Sequence, residues 1–332
     1  MAVLRTSDYT RLTGHLVQID EIFNDALETA MGDAFGLQLY ANKMNSNRAD
    51  TVQLNHGLAG VGLIPEGSNF PEASGSEGDS ITYTKAKYGS NVIVTKEARL
   101  YDEYDQVKMN IETIVDEGIN KLDQSLAEIL QYGWSTSYTD VYNQAVTSTG
   151  PDGLALFSAS HTNGTTSTTF GNIITDGTNT NPVLGGNRDA VLNTRAAGLK
   201  YTDPNGVTRP IKFDTILVGP TLEDAAMRLI NSDLIPGSAN NDTNQVLKGR
   251  YNVVVWDKLD ATFQSTDTSA YRYMYDSKKI DNTLKVFFSQ EPRLSPPQEF
   301  DPNRNWNYLF DFLYSRGFSW APYIRGSKGD NS

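Results

Sequence analysis

Leu12, Leu16, Ile19, Phe23, Leu27 and Ala30 recur at spacings of three and four, which predicts an amphipathic helix over residues 9–31. Gly32 is its expected stop. Such a helix either packs on the chain's own core or reaches out as an arm onto a neighbour. Next come two β-rich limbs, Leu58–Ile64 and Ile81–Thr95, around a tip of turn formers at 65–79. They predict a long, solvent-exposed hairpin, with a tip too long to bury itself.

The strongest periodicity follows. Leu100, Tyr104, Val107, Ile111, Ile114, Val115, Ile119, Leu122, Leu126, Ile129 and Leu130 fall on one helical stripe, and Gly133 ends it. A helix of about 33 residues would be roughly 50 Å long. Gly118 inside it is expected to mark a bend. Strict heptads are not kept, so a beam lying across a domain is favoured over a coiled coil.

Residues 135–186 are rich in Thr, Ser, Asn and Gly around the island Gly153–His161, and 162–181 read as an exposed loop. Short alternating elements then predict an α/β module. A helix is expected over 187–197, a turn at Asp203–Gly206, a strand at Phe213–Val218 and a helix over Leu222–Ile230 capped by Thr221. Tyr251–Trp256, Tyr271–Tyr275 and Leu284–Phe288 are further strands. In the tail, Trp306, Tyr308, Phe310, Phe312 and Tyr314 alternate strictly, and such a face must be covered, most simply by the long helix.

Composition removes most chemistry. Across 332 residues there is no Cys and only His15, His56 and His161, so disulfides, thiolate metal sites and a Cys nucleophile are excluded. No catalytic residue, metal site or cofactor is expected. The net charge of −12 argues against a nucleic-acid reader. No apolar run is long enough for a membrane span, and the first residues lack a signal-peptide core. The expectation is a protein kept in the cytoplasm. His161 near Ser158 and Ser160 lacks a Gly-x-Ser-x-Gly elbow and reads as a locally bonded loop histidine. Glu66, Glu72, Glu77 and Asp79 form an acidic tip without the spacing of a calcium loop. Lys85 and Lys87 fall on one side of a strand, where they either meet a neighbour's carboxylates or guard a solvated edge.

The order of parts resembles the major capsid protein of tailed bacteriophages. Gly153–His161 is similar to the "ALFS-x-xH" stretch of Mu-like major head subunits. Phe213–Ala226 resembles that family's strand, corner and helix, with Gly219 where Pro is common. Asn231-Ser232, Asn252–Val255 and the ending Gly326–Asp330 also fit. The resemblance implies an α+β Johnson fold. Residues 1–57 would be an N-terminal arm and 58–95 the extended β-hairpin loop. Residues 96–186 would be a peripheral domain with its spine helix at about 97–133, and 187–290 an inserted axial domain. Residues 291–332 would return to the peripheral domain. It implies a structural subunit that self-assembles into hexamers and pentamers of an icosahedral head around double-stranded DNA, without sequence-specific binding. Scaffolding, portal and decoration proteins would be partners, and the virion the final location after assembly in the host cytoplasm. Candidate inter-subunit contacts are Phe70, Asp79, Lys85 and Lys87 on the loop, with Phe23 and Leu27 on the arm. The other function classes are a secreted or surface adhesin-like binding module and, more weakly, a hydrolase using His161.

Overall fold

A computed structural model describes residues 21–330 apart from 56–60, 71, 73–76, 96–103, 164–165, 186, 204–205, 235–242, 245, 261–266 and 300–304. The expected helix at 9–20 lies outside these residues. Residues 21–33 form α1, followed by α2 (Phe35–Leu39). The helix passes through Gly32, where nothing crowds the backbone. Phe23 is buried and meets Phe310 edge-on at 6.0 Å, and Leu27 packs against the same core. Over residues 21–33 this helix therefore packs on the core of its own chain.

The first sheet has the order β1 (Ala41–Met44), β12 (Leu284–Glu299), β13 (Trp306–Phe318), β4 (Ala86–Val94). The alternation in the tail works as period two requires. Tyr308, Phe310, Phe312 and Tyr314 are buried on one face, while Leu309 points out. The long helix α3 (Tyr104–Gln131) covers that face with Ile111, Val115, Ile119, Leu122, Leu126 and Leu130. Each such side chain fully buried contributes roughly 2 kcal/mol of apolar transfer. The helix is continuous through Gly118. The missing side chain of that glycine makes room for the Phe310 ring, which a Cβ would overlap. Two of the three bulges of β12 also have a sequence cause. Its ladder slips between Gln290 and Arg293 and between Ser295 and Gln298, where Pro292 and the Pro296–Pro297 pair cannot donate. These prolines lie past Phe288, the last residue paired to β1, so among the described residues they fall where β12 has no strand on that side.

The second sheet has the order β10 (Asn252–Val255), β9 (Thr215–Val218), β11 (Arg272–Tyr275), β14 (Ile324–Ser327). Its middle strands are buried on both faces. Leu217, Tyr273 and Tyr275 join the first core, while Ile216, Val218 and Met274 join a second core. Two helices flank it. Helix α4 (Arg188–Leu199) is capped by Asn187, whose side chain accepts from Ala190 N–H. Helix α5 (Pro220–Asn231) starts one residue before the expected cap Thr221. Its N-cap is Gly219, and Asp260 accepts from Thr221 N–H at 2.6 Å. At Gly219 the Asp260 carboxylate occupies the space a Cβ would need.

Three expected boundaries shift. Strand β12 begins at Leu284, so the chain is already back in the first sheet before 290. The chain end pairs with β11 in the second sheet instead of staying with the first. The polar stretch 162–181 is not simply exposed. Strands β7 (His161–Asn163) and β8 (Thr166–Phe170) pair, and Asn172 and Ile174 are fully buried. Asn172 donates to the carbonyls of Leu156 and Ala321, which binds this stretch to the island and to the tail.

Candidate assembly surface

The hairpin has a different first limb from the expected one. Strand β2 (Ala49–Asn55) pairs antiparallel with β3 (Glu77–Thr84), from Ala49 opposite Thr84 to Asn55 opposite Glu77. Residues 61–64 run as coil. Gly60 and Gly62 weaken that apolar run as a strand, whereas Thr51 and Val52 suit the pleat. The second limb is two strands. It breaks at Lys85, where β3 ends beside β2 and β4 begins beside β13.

Lys85 is buried at this break and does not point with Lys87 into solvent. Its ammonium forms an ion pair with Asp50 at 2.9 Å, donates to the Asn45 carbonyl at 3.0 Å and donates to the Asn45 side chain. Asn45 in turn donates to Asp50. The Lys85 N–H donates to the Arg48 carbonyl, so the corner is pinned at backbone and side chain. Tyr83 stacks on Phe287, donates to the Phe318 carbonyl, and lies over Gly317, where a side chain would overlap its ring. The hairpin root is therefore fixed to the first sheet.

Beyond the root, the hairpin is two strands wide. A two-stranded ribbon has free edges and is marginal in water without support. Its tip exposes apolar surface. Phe70 is 82% exposed, Leu63 is 95% exposed, and Val61 is fully open. Glu66 and Glu72 are also exposed beside them. Asp79 sits on β3, partly covered.

A groove of about 520 Å³ opens between β4, an edge strand among the described residues, and the middle of α3. Phe310, Phe312 and Ile114 line it with Tyr88 and Tyr142, whose rings lie 4.3 Å apart. Lys87 stands at the rim, 65% exposed and 2.9 Å from Asp311. The Asp311 carboxyl lies below the usual range because bonds and charge from Lys87, with bonds from Gln290 and Arg293, outweigh its partial burial. Lys121 stands across the groove, paired to Glu117 at 2.6 Å.

Of the six candidate contacts, Phe70, Lys87 and part of Asp79 remain at the surface, whereas Lys85, Phe23 and most of Leu27 are taken up inside the chain. The groove had no local signal, because its walls come from four separate segments. Two buried polar clusters lie elsewhere. His161 Nδ1 is 2.7 Å from Asp152, and its Nε2 is 3.1 Å from the Leu156 carbonyl. Both ring nitrogens are committed to local bonds, as the sequence indicated. Arg316 reaches Asp140 at 2.9 Å and approaches Glu128 at 3.6 Å. Among the described residues, no group of three or more His, Asp or Glu is placed to hold a metal ion, and no helix is long and apolar enough to cross a membrane.

A family model described as "Phage capsid protein" matches residues 78–312. No curated protein matches the sequence. Solved structures match the fold. The capsid of an empty GTA particle aligns with TM-score 0.53 at 11% identity, covering 88% of both chains. The capsid of Cyanophage P-SCSP1u aligns at 0.53 and 12% identity, covering 89% of this chain and 87% of that one. A structure of Mycobacterium phage Patience aligns at 0.52 and 12% identity, covering 93% and 87%. With a family match over more than half of its length, carried on the Johnson fold, this chain belongs to the phage capsid protein family and is a structural capsid subunit.

Proposed function

We propose that copies of this chain assemble into the hexamers and pentamers of an icosahedral phage head around double-stranded DNA. The observation that carries this is the rooted hairpin with an apolar, uncovered tip. A ribbon fixed at its base and bare at its end gains stability only when another surface covers it. In a closed shell every copy both gives and receives such a contact, so individually weak contacts hold together. Scaffolding, portal and decoration proteins are the further partners this reading calls for, with assembly in the host cytoplasm and the virion as destination.

On this reading the chain works through its surfaces, and His161 ties its own loop through Asp152 and the Leu156 carbonyl. The net charge of −12 suits a container. A negative wall repels phosphate, leaving DNA free to move in and out. No observation on the described residues favours an adhesin-like module.

Electron microscopy of the purified protein, alone and with its scaffold, tests the reading. Shells or capsomers are expected, and a monomer under every condition overturns it. The sharper variant replaces residues 56–76 with Asn-Gly, which joins Asn55 to Glu77 as a tight hairpin turn. It should fold with the parent's thermal transition and fail to form shells.

A further inference from the structure

We infer that a small monovalent inorganic anion, of the size and charge of chloride, binds inside the module of the second sheet, held by Arg272 of β11 and Arg188 at the start of α4. The site lies within one subunit, so it does not depend on how copies assemble.

Arg272 is the residue that calls for a ligand. It opens β11 between Val218 of β9 and Ser327 of β14 and is 1% exposed. Neither Nη1 nor Nη2 has a hydrogen-bond partner among the described residues. The other arginines of the interior differ. Arg316 has Asp140 at 2.9 Å, and Arg325 lies over the Phe213 ring. A guanidinium buried without an acceptor gives up its hydration and recovers nothing, which is costly. Burial pushes Arg272 down to about 10, which still leaves it charged at neutral pH.

Its surroundings form a closed cradle. Side chains alternate along a strand, so Arg272 shares the face of Met274, which packs with Leu184, Ala190 and Val191. Ser327 beside it donates to the Pro182 carbonyl at 3.0 Å, and the Lys328 N–H donates to the Asn181 side chain at 3.3 Å. The chain from 181 to 187 is thereby strapped beside this end of β11, and it leads into α4. Arg188 is the first residue of that helix, and its buried Nε also has no partner among the described residues. The Asn187 side chain takes up the Ala190 N–H, while the earlier N–H groups of the first turn have no acceptor within the helix and add partial positive charge.

Charge balance selects the ligand. Asp176 is the carboxylate whose charge acts on Arg272, and it accepts from the side chain of Asn187, so the guanidinium faces this end of α4. Asp176 does not reach it in hydrogen-bonding geometry. Its oxygens instead accept from the N–H groups of Thr178 and Asn179 and from the side chains of Asn179 and Asn187. Two guanidinium charges against one carboxylate leave one positive charge over. A monovalent anion cancels it, whereas a phosphate dianion overshoots.

Equilibrium dialysis of the full chain against radiolabelled chloride, in a background of sodium gluconate, tests the site. The parent should retain about one chloride per chain, and its thermal transition should rise as chloride replaces gluconate at constant ionic strength. Arg272→Met keeps much of the side chain's shape without its charge. It should retain at least tenfold less chloride, with a transition that no longer responds to the exchange. Arg188→Met should weaken retention by a smaller factor, and Arg209→Met, an exposed arginine of the same module, should leave it unchanged. A parent that retains no chloride overturns the inference whether or not the variants fold. Retention that is equal in the parent and Arg272→Met also overturns it, because the anion then sits elsewhere.

Discussion

The ammonium of Lys85 lies 2.9 Å from the carboxylate of Asp50, with both side chains closed to solvent. This pair joins β2 to the point where β3 becomes β4, so it sets the direction in which the hairpin leaves the body. Removing one buried partner leaves the other charge uncompensated, which costs about 3–5 kcal/mol. Lys85→Met should lower the thermal transition clearly, and Asp50→Leu added to it should restore much of the loss. Calorimetry on the three proteins checks this. An unchanged transition in Lys85→Met would show that the corner is held by other contacts.

Gly118 faces Phe310 across the helix–sheet interface. Replacing a helical Gly with Ala ordinarily gains about 1 kcal/mol from backbone propensity. Here the new methyl overlaps a buried ring already wedged against Phe23. Overpacking of this kind costs typically 1–3 kcal/mol, so the clash wins or at least cancels the gain. Gly118→Ala is expected to be neutral to destabilising by about 1–2 kcal/mol in chemical denaturation. Combining it with Phe310→Leu should return the propensity gain. A stabilised single variant would refute the packing account.

The two strongest elements were legible because their signals are local. A stripe at three and four can only be buried as a helix, and Tyr308 to Tyr314 can only be buried as one strand face. The hairpin partner was not legible, since Leu58–Ile64 and Ala49–Asn55 both lie before the second limb. Only the register to Glu77–Thr84 and the buried Asp50 decide between them. The packing role of Gly118 was not legible for the same reason: a glycine's neighbours across an interface leave no local trace. The chain end looked like part of the first sheet because it follows β13, yet Ile324–Ser327 closes the second sheet through pairing with Arg272–Tyr275. In the candidate site, Phe70 stood out as an apolar residue among turn formers. The groove did not, because Tyr88, Ile114, Tyr142 and Phe310 meet only in three dimensions.

His161 is expected to be structural. Its ring ties Asp152 to the Leu156 carbonyl and stacks on Phe170 at 5.1 Å. Burial pushes the Asp152 carboxyl up, but the bond and charge from His161 more than offset this and hold it below the usual range. His161→Ala should cost about 1–3 kcal/mol, the penalty of leaving a buried acceptor unmet. A carboxyl with a lowered folded pKa supplies stability that is present above its unfolded value and lost as pH falls through the folded one. The gap between variant and parent should therefore narrow in acid. Equal stability at neutral pH would contradict the assignment.

Glu128 sets the sign of the remaining pH dependence. It sits wholly inside α3's packed face, and burial pushes its carboxyl up to about 8 despite the opposing charge of Arg316. The backbone N–H of Val141 approaches it, but no donor reaches it in hydrogen-bonding geometry. Arg316 instead spends its close contact on Asp140 at 2.9 Å. Because the folded pKa lies above the unfolded value, the native state holds an extra proton between about 4.5 and about 8. Stability must then fall as pH rises through that window and level off above it. Glu128→Gln removes the titration while keeping the shape and the Arg316–Asp140 pair. Its denaturation curves should coincide with the parent's near the unfolded glutamate pKa. They should then separate with the variant increasingly more stable, by on the order of a few kcal/mol at the top of the window. A gap that stays constant with pH would mean that Glu128 is ionised in the fold, and that Arg316 compensates two buried carboxylates at once.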